Sequence, residues 1–178
     1  MPAGAALSEE IASQPACWRR AVAELDRWRE LLPRPGERVA VVGCGTSWFV
    51  GQAYAARREW AGLGVTDAFA ASELPPGRRW DRLLAITRSG TTSEVLDLLA
   101  DRRGQAPTVA VTADPAAPVA GVADAGVVLD FADERAVVQT RFATTTLALL
   151  RAHLGEDLAA PIAQAVDAVA APPPPEAL

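Results

Sequence analysis

The apolar positions of this chain change period along its length. Near the N-terminus, Trp18, Val22, Leu25, Trp28 and Leu32 recur at three- and four-residue steps, which line one face of a helix, and LPRPG ends the pattern. The segment ALSEEIASQPACWRRAVAELDRWRELLPRPGER therefore predicts a short helix, a break at Pro15, and a longer helix. From there, short apolar runs alternate with amphipathic stretches. Arg38 to Val42, Val65 to Ala71, Leu83 to Thr87, Pro107 to Thr112 and part of VADAGVVLDF predict five strands. Trp48 to Trp60 and Ser93 to Ala100 predict the helices after the first and third strands, and ASELPPGRRW a turn or short helix after the second. ADPAAPVAGVA predicts a short helix opened by Asp114-Pro115, since proline is tolerated in a first helical turn. Val137 to Leu154 and Asp157 to Ala171 read as closing helices, and APPPPEAL as an extended linker or tail.

Strands buried on both faces and separated by helices of about ten to fifteen residues imply βαβ crossovers. The expected fold is α/β, a three-layer αβα sandwich around a five-stranded parallel sheet. N-terminal helices over residues 1–34 would pack on a body spanning 35–171, with the proline-rich tail at 172–178.

Composition narrows the function. Half of the 178 residues are hydrophobic and 22% are charged, enough apolar mass for one core. All 17 basic residues are arginine, facing 22 acids for a net charge of −5, which argues against a nucleic-acid surface. The pairs Arg19-Arg20, Arg57-Arg58, Arg78-Arg79 and Arg102-Arg103 are scattered and read as solvated faces. Cys17 and Cys44 are too few for a disulfide framework and lack zinc-site spacing. No signal-like N-terminus and no uncharged run of membrane-spanning length is present, so the expectation is a cytoplasmic protein without a membrane partner.

Two polar, glycine-containing loops remain, GCGTS after the first strand and TRSGTTS after the third. Both fall at carboxyl ends of parallel strands, where such sheets bind ligands. The next helix begins there with unpartnered amides and a dipole that favours an anion. Ser47, Thr87, Ser89, Thr91 and Thr92 offer hydroxyl donors for a phosphate, while glycine lets the backbone approach it. Taken singly, each loop reads equally as a capped helix, with Ser47, Thr92 or Ser93 as the cap. Two loops at one sheet edge favour a ligand. GCGTS is neither a P-loop, which needs a lysine, nor a dinucleotide fingerprint, which fails at Phe49 and Val50. Cys44 reads as a nucleophile or as a small strand-end residue, and His153 as solvent-facing or helix-terminal.

The runs VVGCGTSWFVGQAYAARREWAGLGV, ASELP and LLAITRSGTTSEVLDLL resemble the sugar isomerase (SIS) domain. The likeness is to the first module of the isomerase half of glucosamine-6-phosphate synthase and to ketose/aldose-phosphate isomerases and deaminases. EIASQPACWRRA is similar to the helix and Gln-Pro step ahead of that module, and ERAVVQTRFATTTLALL to the stretch after its fifth strand. The resemblance runs from Leu7 to Leu154 and implies a flavodoxin-like sheet and a phosphosugar ligand. By motif position, Ser47, Thr87, Ser89 and Thr92 would hold phosphate, with Thr91 beside them and Gly90 allowing the turn. Cys44, Gly45, Thr46, Arg88 and Val137 to Gln139 would lie toward the sugar. No cofactor or metal is implied. Thr87-Arg88 and Gln139 depart from the synthase and point toward its isomerase and deaminase relatives.

The resemblance also implies two SIS modules in tandem, with a ring-opening histidine, a proton-shuttling glutamate and a lysine on or near the second. This chain has no lysine and no histidine placed to serve. Glu134 is the best local carboxylate for moving a proton between C1 and C2, but a helix-start glutamate is the favoured reading of it. The expected function is a phosphosugar-binding module, for a hexose- or hexosamine-6-phosphate, that is catalytically incomplete alone. Its partner would be a second module or a second copy, paired through apolar helical surface such as Phe142 to Leu150. The alternatives are a single-module isomerase of the phosphohexulose isomerase type and a regulatory phosphosugar sensor.

Overall fold

The computed structural model describes residues 3–171. The tail expected over 172–178 lies outside the described residues. Five strands, β1 (Val39–Gly43), β2 (Thr66–Ala70), β3 (Arg82–Ile86), β4 (Thr108–Thr112) and β5 (Ala125–Val128), form one parallel sheet in the order β2-β1-β3-β4-β5. This is the flavodoxin-like order, whose direction reverses between β1 and β3. The helices are α1 (Ala3–Ala23), α2 (Thr46–Trp60), α3 (Ser93–Asp101), α4 (Arg141–His153) and α5 (Ala159–Ala170).

Alternation along the strands builds two cores. Val39, Val41, Leu84, Ile86, Val109, Val111 and Val127 face the layer of α1, α2 and α4, where Ala21, Tyr54, Phe142 and Leu149 close over them. Ala40, Val42, Leu83, Ala85 and Ala110 face α3, which supplies Val95 and Leu99, together with Trp80, Leu74 and Val119 from irregular segments. On that second face Val42, Ala85 and Ala110 are register neighbours. α5 packs outside the first layer, with Leu158 and Ile162 against Ala148, Trp18 and Val22.

The structure corrects several expectations. α1 runs unbroken through Pro15. An internal proline costs about 3 kcal/mol, but the flanking residues are tied to α4. Arg141 Nη1 donates to Ser13 Oγ at 3.0 Å, Thr144 Oγ1 donates to Gln14 Oε1 at 2.8 Å, and Trp18 Nε1 donates to Thr144 Oγ1 at 3.0 Å. The helix stops at Ala23, and Leu25 enters the core from a 3-10 turn, Leu25–Arg27. Residues 137–140 are not helical, because α4 starts only at Arg141. Asp114-Pro115 opens an Asx turn, Asp114 Oδ1 accepting Ala116 N–H at 2.8 Å, and the helical turn that follows is a 3-10 turn at Pro118–Gly121.

Arg58 is not on a solvated face. It is 0% exposed and donates to the carbonyl oxygens of Arg34, Glu37 and Gly64 and to Thr66 Oγ1. That buried guanidinium gathers the loops at the amino-terminal edge of the sheet. Arg82 supports it there, pairing with both carboxylate oxygens of Glu37 at 2.9 and 3.0 Å.

Candidate phosphate-binding site

β1 and β3 are in register, with Gly43 opposite Ile86, so Cys44 and Thr87 leave adjacent strand ends side by side. The loops that follow therefore meet at the reversal of strand order, at the carboxyl edge. Loop one has no room at its root. A Cβ on Gly43 would lie 2.9 Å from Ser47 Cβ and 3.0 Å from the Ile86 carbonyl oxygen. Gly45, at φ 55°, then turns the chain into α2. In loop two Gly90 has φ 62°, and a Cβ there would lie 2.4 Å from Ala117 Cβ. Its carbonyl accepts Val119 N–H at 3.1 Å, and the Arg88 carbonyl accepts Ala113 N–H at 2.9 Å and Thr112 Oγ1 at 3.0 Å.

Capping does not account for the hydroxyls. Gly45, not Ser47, holds the N-cap position of α2, and Thr92 at the N-cap of α3 makes no side-chain capping bond. Ser93 lies inside α3 and donates to its neighbour Glu94 at 3.3 Å. Instead the loop-two hydroxyls pair with each other, Ser89 with Thr91 at 2.9 Å and Thr87 with Thr92 at 3.4 Å. Ser47 is 5% exposed, and among the described residues its hydroxyl has no hydrogen-bond partner. Both helices begin here with amides that lack an intrahelical acceptor, so the local field is positive without a cationic side chain.

Arg88 is the cation of loop two, and it reaches sideways. Its Nη1 donates to the Glu134 carbonyl at 2.8 Å and meets Asp133 Oδ1 at 3.3 Å, while its Nε is buried without a partner. Gln139 is brought beside loop one. With Thr46, Phe49, Thr140 and Gln14 it lines an open groove of about 440 Å³, and its Oε1 is buried and unpartnered. Val137 is not brought in, being 99% exposed. Cys44 is half-buried against the α3-side core and is a free thiol. Asp133 and Gln14 were not singled out from the sequence. The Gln-Pro step of the resemblance was the available signal for Gln14, whereas Asp133 carries none.

Neither a protein-family model nor a curated protein matches this sequence. Solved structures do. The C-terminal domain of glucosamine-fructose-6-phosphate aminotransferase from Francisella tularensis superposes with a TM-score of 0.68 at 19% identity, covering 90% of this chain and 51% of that one. Tagatose-6-phosphate ketose/aldose isomerase from Escherichia coli gives 0.68 at 22%, over 82% and 46%. A Methanococcus jannaschii protein, whose structure was used to infer a 3-hexulose-6-phosphate isomerase function, gives 0.64 at 16%, over 93% and 98%. The fold is the sugar isomerase (SIS) α/β fold. Identities this low carry the fold alone. This chain spans about half the length of the first two of these proteins.

On this SIS fold the titratable candidates sit apart from the chemistry expected of them. Glu134 is 2% exposed and caps α4. Its Oε1 accepts Thr140 N–H at 2.5 Å, Thr140 Oγ1 at 3.0 Å and Arg141 N–H at 2.6 Å, and its Oε2 accepts Phe142 N–H at 3.1 Å. His153 closes the far end of α4, about 18 Å along the helix axis from Arg141. It is helix-terminal but not solvent-facing, since Nδ1 lies 3.4 Å from the Tyr54 hydroxyl. Burial, helped by Arg29 and Arg58, pushes its pKa down to about 4. Among the described residues no group of three or more His, Cys, Asp or Glu is placed to hold a metal ion, and no helix is long and apolar enough to cross a membrane.

Proposed function

We infer that this chain binds a phosphosugar, a hexose- or hexosamine-6-phosphate, with the phosphate held between GCGTS and TRSGTTS. The observation that carries the reading is the register pairing of Gly43 with Ile86, which sets side by side two loops whose hydroxyls are not used as helix caps. Ser47, Thr87, Ser89, Thr91 and Thr92 are the donors in this reading, and Gly45 and Gly90 give the backbone its close approach. Thr46 and Gln139, which line the groove beside loop one, face the sugar in this reading, while Cys44 packs against the α3-side core and Arg88 is turned toward Glu134. The solved structures of the same fold that act on phosphorylated sugars support the ligand class.

In this reading the lone chain is catalytically incomplete. Aldose–ketose interconversion needs a base between C1 and C2 and help with ring opening. Glu134 is occupied by α4, and His153 is neutral and remote. A second module or second copy would supply the missing groups. Phe49 at 60% exposure lines the groove, and Val137 and Val138, at 99% and 63%, precede Gln139, so apolar surface waits at this side of the site.

The test is thermal unfolding against a panel of hexose and hexosamine 6-phosphates. At one hundred times Kd a ligand adds about 2.7 kcal/mol, a rise in Tm of about 5–10 °C for a chain of this size. Ser89→Ala should abolish the rise. Protection that survives the substitution unchanged places the phosphate elsewhere. The same panel, followed for ketose formation or ammonia release, should show no turnover. Turnover would favour a single-module isomerase, a reading that the 98% coverage of the Methanococcus jannaschii protein keeps in play.

A further inference from the structure

We propose that a cavity at the opposite, amino-terminal edge of the sheet is a second anion site that takes the phosphate group of a small metabolite. It lies before β3 and β4, about 17 Å from the loops along the five residues of β3. It encloses about 700 Å³ and is lined by Arg78, Arg79, Trp80, Asp81, Arg102 and Gln105, among others. Three arginines line it in a chain whose net charge is −5. The one lining carboxylate, Asp81, already accepts the Arg38 N–H at 2.7 Å.

The arginines are held in place with donors to spare. Arg78 pairs with Asp67 at 2.6 Å and stacks 4.4 Å above the Trp80 ring. Arg102 donates to the Pro75 and Pro76 carbonyls at 3.4 and 3.2 Å and to Gln105 Oε1 at 3.3 Å. An arginine has five N–H donors, so each retains at least two. Arg79 has no partner among the described residues. Trp80 supplies the second, independent observation. The residue is 7% exposed, it lines the cavity, and its Nε1–H is buried with no acceptor. A buried donor without an acceptor carries a desolvation penalty, and Nε1 is shielded from solvent, so an incoming oxygen reaches it only if the cavity wall shifts.

Donors from separate residues suit the several oxygens of a tetrahedral phosphate better than the two of a carboxylate. A nucleic acid does not fit, because it needs an extended basic surface and this is one cavity on an acidic chain. The proposal does not rest on the loop site.

The test is an NMR titration of the ¹⁵N-labelled chain with inorganic phosphate and with pyrophosphate, at ionic strength held constant with sodium chloride. Trp80→Phe identifies the Trp80 signal among the five tryptophan indoles. That signal should shift saturably in the unmodified chain and equally in Ser47→Ala/Ser89→Ala. In Arg79→Gln, an exposed and unpartnered position whose change leaves the fold intact, the midpoint should rise about tenfold. A signal that stays still throughout, that moves equally in Arg79→Gln, or that is lost in the serine variant alone overturns the site.

Discussion

Arg88 Nη1 donates to the main-chain carbonyl of Glu134 at 2.8 Å, so the loop after β3 is tied directly to the segment that leads into α4. A side chain from one half of the candidate site thereby holds the chain that delivers Gln139 to the other half. Arg88→Ala should release residues 134–140, seen as faster amide hydrogen exchange there, with a stability loss of about 1–2 kcal/mol for one charge-assisted bond. Exchange unchanged in that segment would show that the tie is not what orders it.

The Glu134 carboxylate carries a separate prediction, because its four donors leave it little freedom to move a proton. Glu134→Ala strands buried amides at the start of α4 and should cost about 2–4 kcal/mol. Glu134→Gln keeps one carbonyl oxygen and should cost roughly half as much. In any assembly that turns over a phosphosugar, Glu134→Gln should leave kcat within about tenfold. A chain of near-normal stability with activity abolished would make this glutamate catalytic after all.

Glycine demand differs between the two loops. Gly90→Ala must push a methyl group to within 2.4 Å of Ala117 Cβ and 2.8 Å of Val119 Cγ1 at φ 62°, so a loss above about 2 kcal/mol is expected in denaturant melts. At Gly45, φ 55°, nothing lies within 4 Å of the new methyl group. Gly45→Ala should therefore cost only the backbone term, about 1–3 kcal/mol, while placing a methyl group at the mouth of loop one. Equal losses would mean that packing around Gly90 is looser than the structure has it.

His153 predicts an acid-side loss of stability. Burial holds its pKa near 4, against about 6.5 for a free imidazole. The fold favours the neutral ring, so the contribution is fully present above pH 6.5 and is lost as pH falls toward 4. Glu156, whose carboxylate Arg57 and then Arg151 hold below its usual range, responds only further down. Tm should decline between pH 6.5 and 4.5 in the parent chain, and His153→Gln should flatten that interval. An unchanged slope would assign the decline to other groups.

The fold was legible where burial on both faces writes itself into uninterrupted apolar runs, as in Leu83 to Ile86 and Val109 to Val111. Strand ends were less so. The sequence reading stops the first strand at Val42, but Gly43 still pairs with Ile86, and pairing rather than apolarity decides where a ladder ends. The break expected at Pro15 failed because Ser13, Gln14 and Trp18 are fixed to α4 from far along the chain, which no local rule can see. The helix expected from Val137 starts late because Glu134 reaches forward to cap Thr140, Arg141 and Phe142. Both loops could be read as a site from their glycines and hydroxyls. The sideways turn of Arg88 could not, since it depends on Asp133 and Glu134, far along the chain.

The two faces of the sheet are unequally clad. GCGTS runs into α2, which packs on α4, itself backed by α1 and, beyond it, α5, whereas TRSGTTS runs into α3, nine residues that share their face mainly with irregular segments. Opening free energies follow buried contact, so the amides of α3 and its loop should exchange from a shallower, sub-global opening than those of α2. One jaw of the cradle is set in bedrock and the other in a lighter layer, and an anion bridging them would lend the lighter layer the slow breathing of the heavier one.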